Sequence, residues 1–67
     1  MMQTHFYRVR SGALYASHPD VRGFVNAQTG KAYPQLPASA MEVDARDFSR
    51  SAVDRLIELL AELRRVE

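Results

Sequence analysis

The residue types of a nucleophilic triad are present: Ser11, Ser17 and Ser39, the histidines His5 and His18, and Asp20. A serine nucleophile needs a base within hydrogen-bond reach and donors aimed at the oxyanion that forms. None of these serines lies in a Gly-x-Ser-x-Gly elbow. A chain of 67 residues also has little volume with which to enclose a water-free pocket. No catalytic residue is assigned, and the expectation is a protein that is not an enzyme. His5, His18 and Asp20 could ligate a divalent ion if a hairpin set the histidines opposite one another. Strand-end histidines are more often solvated, so no metal, cofactor or small-molecule substrate is inferred. Gln28-Thr29-Gly30-Lys31 contains a Gly-Lys pair but lacks the spaced glycines and following helix of a phosphate-binding loop. It reads as a turn.

A second chemistry is recognition. Phe6, Arg8, Arg10 and Tyr15 fall on one side of a strand pair if the turn between the strands has two residues, with Arg22 and Lys31 nearby. Arg, Tyr and Phe are enriched in protein interfaces. The same residue types could stack on bases and hold phosphates. The plain structural alternative is that Arg8 lies over Tyr15 as a cation–π pair. The candidate partner-binding set is Phe6, Arg8, Arg10, Tyr15 and Arg22.

These side chains need elements to position them. Residues 4–33 read as two β-hairpins. In the first, His5–Arg10 and Ala13–His18 flank Ser11-Gly12, and a two-residue turn sets Phe6 opposite Ser17, Arg8 opposite Tyr15 and His5 opposite His18. Tyr7, Val9, Leu14 and Ala16 then face the core, and a slip of one residue would exchange these roles. In the second hairpin, Phe24-Val25-Asn26 and Lys31-Ala32-Tyr33 flank a four-residue loop ending in Gly30, with Phe24 opposite Tyr33. Residues 34–48 form a Pro- and Ala-rich connection. Within it, residues 41–46 alternate apolar and charged side chains as a half-buried strand does, although a helix would tolerate them.

Residues 50–66 have the spacing of an amphipathic helix, with Val53, Leu56, Ile57, Leu60 and Leu63 on one face. Ser49 or Ser51 can cap it. The stripe is wide, so Leu59, Leu63 and Val66 are candidates for contact with a second copy of the chain. Asp54, Glu58 and Glu62 form an acidic ridge on the other side.

Composition sets the outer bounds. Hydrophobic residues make up 46% and charged residues 25%, a globular balance. The formal net charge of +1 hides an asymmetry. Four cations against one acid leave +3 through residue 40, and five arginines against seven acids leave −2 after it. A uniformly basic nucleic-acid binder is not expected. The absence of cysteine removes disulfides, thiolate catalysis and zinc ribbons. No membrane span or export signal is visible, which points to the cytoplasm.

The fold expected for residues 1–67 is a single α+β domain: a small antiparallel sheet covered on one face by a C-terminal helix. The function expected is a non-catalytic module that inhibits or regulates a partner protein by occupying its surface. The alternative is binding of RNA or single-stranded DNA by the basic-aromatic sheet face.

Overall fold

A computed structural model describes residues 4–65. Five strands, β1 (His5–Arg8), β2 (Leu14–Ser17), β3 (Phe24–Asn26), β4 (Ala32–Tyr33) and β5 (Met41–Val43), precede a 3₁₀ turn at Ala45–Asp47 and the helix α1 (Arg50–Arg65). The strands form one antiparallel sheet in the order β4-β3-β2-β1-β5, and α1 packs on β2 and β3. This is the α+β arrangement expected from the pattern. The strand expected at residues 41–46 is present as β5 but ends at Val43. Asp44 then caps the 3₁₀ turn by accepting the Arg46 N–H at 2.9 Å.

The first hairpin corrects the expected register. Gly12 N–H donates to Val9 O at 2.8 Å and Val9 N–H donates to Ala13 O at 3.0 Å. The turn is therefore the three residues Arg10-Ser11-Gly12. Phe6 lies opposite Ala16, Arg8 opposite Leu14 and His5 opposite Ser17. The reason is local. A two-residue type I′ turn would force Ser11 to positive φ, and type II′ requires Gly first. Of the three turn residues only Gly12 adopts positive φ, at +96°, which suits a type I turn followed by a left-handed bulge residue. The extra turn residue exchanges the faces of β1. Phe6 and Arg8 turn toward the helix side, and Tyr7 turns away from it. The second hairpin keeps its expected register, with Phe24 opposite Tyr33 and Val25 opposite Ala32. Its loop is closed by the buried Asn26, whose Oδ1 accepts the N–H groups of Gln28 and Thr29 at 2.7 and 3.0 Å.

The core lies between sheet and helix. Phe6, Ala16, Val25 and Ala27 meet Leu56 and Leu60, with Val53, Leu59 and Leu63 packed around them. Burying each of these leucines contributes about 1.5–3 kcal/mol before entropy is counted. Ser49 caps α1: its Oγ accepts the Ala52 N–H at 3.2 Å. Arg55 Nε donates to Ala27 O at 2.7 Å, fixing the helix to the β3–β4 loop.

The other face of the sheet carries a second layer. Tyr7 meets Phe24 edge to face with centroids 5.6 Å apart, and Tyr15 meets Tyr33 at 6.2 Å. Tyr15 and Val9 are buried without joining the helix-side cluster. The connection 34–40 explains this. It must run from β4 at one edge to β5 at the other, and from the Phe24 end of the sheet to the Arg8 end. Four strand spacings are roughly 19 Å, and the eight Cα steps from Tyr33 to Met41 reach at most about 29 Å. A detour around the sheet end is too long and α1 fills one face, so the connection crosses the other as a strap. Ser39 Oγ accepts the Arg10 N–H at 3.2 Å where the strap reaches the first turn.

Candidate docking surface

The five residues expected to share one side do not form one surface. Phe6 is 4% exposed and lies in the core, edge-on to Phe48 with ring centroids 5.7 Å apart. Tyr15 is on the opposite face and 8% exposed. Neither ring is available to a partner. Arg22 is exposed but lies in the β2–β3 connection, at the far end of the sheet from Arg8 and Arg10. The basic-aromatic sheet face is therefore corrected. Its cause is the three-residue turn, which separates Phe6 and Arg8 from Tyr15. The histidines are also apart: His5 Nδ1 is 2.7 Å from Glu42 Oε2, while His18 Nδ1 accepts the Asp20 N–H at 3.0 Å. Among the described residues no group of three or more potential metal ligands occurs.

The structure does bring Arg8 and Arg10 together. With Val9, Ser39, Met41 and Val43 they line a groove of about 440 Å³ where β1, β5 and the end of the strap meet. Met41 lies opposite Arg8 in the β1–β5 ladder and is 69% exposed. The Arg8 guanidinium carbon stands 6.0 Å from the Phe48 ring centroid, and its Nη2 donates to Asp47 O at 3.3 Å. These two contacts place the guanidinium on the helix side of the sheet.

A second hollow of about 400 Å³ is lined by Ala45, Arg46, Phe48, Arg50, Val53 and Asp54. Arg46 is paired with Asp44 at 3.3 Å. Among the described residues, Arg8, Arg10 and Arg50 have no carboxylate within ion-pair distance. The Arg46 backbone N–H, and then its guanidinium, hold the Asp44 carboxyl below its ordinary value of 3.8. Asp44 is thus committed to the turn that follows β5 rather than to the groove.

Met41 and Phe48 were not singled out from sequence, and Ser39 was named there only among the serines of a nucleophilic triad. Met41 begins the alternating run at residue 41, and its position next to two arginines depends on the β1–β5 pairing. Of the residues proposed for self-association, Leu59 and Leu63 pack against the core, and Val66 lies outside the described residues. The more exposed apolar helix residue is Ile57, at 38%.

No protein-family model matches the chain, and neither the curated proteins nor the solved structures provide a match. The fold and surface define a class only: a small α+β domain with a basic, partly apolar groove at one sheet edge. Among the described residues no helix is long and apolar enough to cross a membrane.

Proposed function

We propose that the protein is a non-catalytic protein-binding module that inhibits or regulates a partner by occupying its surface, and that the groove of Arg8, Arg10 and Met41 is the contact. One observation carries this reading: among the described residues, the most exposed large apolar side chain, Met41, stands beside two guanidiniums that have no acidic partner. Interface centres combine apolar anchors with arginines in this way. Water leaves Met41 at a gain of about 25 cal/mol per Å² of apolar surface, while the arginines set orientation and encounter rate. The chain lacks cysteine, as suits a reducing compartment, and a cytoplasmic site of action belongs to the proposal. The nucleic-acid alternative has less support, because Phe6 and Tyr15 are buried and supply no stacking platform.

The test is a quantitative recovery of proteins from the source cells by three baits: wild type, Arg8→Glu/Arg10→Glu, and Glu58→Lys/Glu62→Lys on the outer helix face. The expected result is a protein retained by the first and third baits and lost with the second. Equal recovery by all three contradicts the assignment of the groove. Recovery of nucleic acid in place of protein favours the alternative.

A further inference from the structure

Among the described residues the groove lies along an open sheet edge, and the ladder shows which of their backbone groups are unpaired there. Val9 N–H bonds to Ala13 O on the β2 side. Backbone groups alternate sides along an antiparallel strand, so Phe6 and Arg8 turn theirs toward β5. Their partners are Val43 and Met41. Glu42, between them, is left with both N–H and C=O directed away from the sheet. The opposite edge, β4, has two residues and runs straight into Pro34, a common way of blunting an edge.

Resting on the protein-binding reading above, we infer that the partner contributes an extended acidic segment that adds to β5 as a sixth strand. The ladder supplies hydrogen bonds at Glu42, and alternate side chains of the segment lie beside Met41. Carboxylates at its Arg10 end meet Arg8 and Arg10. Strand addition of this kind draws affinity from the main chain and specificity from alternate side chains. A second copy is a poorer occupant. Antiparallel pairing about Glu42 would set two Glu42 carboxylates directly opposite one another, and like charges in that position destabilise a pair.

The experiment selects decapeptides from a random display library on the intact protein and titrates a selected peptide. The expected sequences lack proline, place a β-branched residue beside Met41 with Asp or Glu on that same face toward the Arg10 end, and carry no acid opposite Glu42. Glu42→Pro removes the outward N–H without touching the inner ladder, a substitution that edge strands tolerate. It should keep its thermal transition and bind about tenfold more weakly, on the order of one lost hydrogen bond, whereas Glu42→Gln, which keeps the N–H, should bind as wild type does. N-methylation of the peptide at alternate positions should abolish binding. Peptides that tolerate N-methylation everywhere yet lose affinity with Arg8→Glu/Arg10→Glu overturn strand addition and leave the groove as the docking site. An absence of enriched peptides, or peptides indifferent to both sets of variants, overturns strand addition and the groove together. Sedimentation should show a monomer, and a dimer abolished by Glu42→Pro would make the occupant a second copy and contradict the inference.

Discussion

Leu56 is fully buried and Ile57, its neighbour on the helix, is 38% exposed; the two leave different voids when truncated. Leu56→Ala opens a cavity between helix and sheet and should cost about 2–5 kcal/mol, read from urea unfolding midpoints at constant slope. Ile57→Ala should change stability by less than about 1 kcal/mol. Equal effects would mean that the helix face is misassigned. Glycines make a similar contrast. A Cβ at Gly12 meets nothing within 4 Å, whereas at Gly23 it would stand 2.5 Å from the Tyr33 carbonyl oxygen. Both adopt positive φ, so each alanine substitution costs about 1 kcal/mol of backbone strain. Gly23→Ala should cost more, because the obstructing atom belongs to the backbone of the neighbouring strand. Thermal melts of the two variants check the order.

At the scale of elements, the termini of α1 and of the 3₁₀ turn carry separate, measurable contributions. Ser49→Ala removes the acceptor of the Ala52 N–H and should destabilise the domain by about 1 kcal/mol. Ser51→Ala should not, and helical circular dichroism during unfolding separates them. Asp44 gives the turn a pH dependence. Its folded value is depressed below 3.8 by the Arg46 backbone N–H and guanidinium, so its contribution is present above the unfolded value and lost as pH falls through the folded one. Wild type should lose more stability than Asp44→Asn between neutral pH and pH values below 3.8, and identical pH profiles would contradict this role. The helix was legible in the sequence because Val53, Leu56, Leu60 and Leu63 repeat at helical spacing on the face that meets the sheet; Ile57, expected on the same face, is exposed. The second hairpin was legible because Gly30 can take only one useful place in a four-residue loop. Ser11-Gly12 admitted two turns, and the choice between them rested on a φ at Ser11 that a sequence pattern does not display.

Over the whole molecule, that single turn residue decides which side chains can reach a partner. It buries Phe6 under the helix, leaves Tyr15 beneath the strap and brings Arg8 beside Met41. The groove was not legible in advance because it joins β1 to β5 across more than thirty residues of sequence and depends on a connection crossing the sheet. Residue type alone points to Arg8 and Arg10, but their neighbours depend on topology. The surviving surface is basic and partly apolar at one edge, and the acidic ridge of α1 lies on another side. A selected acidic peptide should therefore bind with an affinity that falls with added salt, and a salt-independent affinity would point to apolar contact alone.

Amide chemical shifts of the labelled protein during titration with that acidic peptide locate the contact residue by residue. Perturbations centred on Arg8, Arg10, Met41 and Glu42 are predicted, with Asp54, Glu58 and Glu62 unmoved. Shifts confined to the outer helix face, or to Arg22 and the far end of the sheet, would contradict the assignment of this groove as the docking surface.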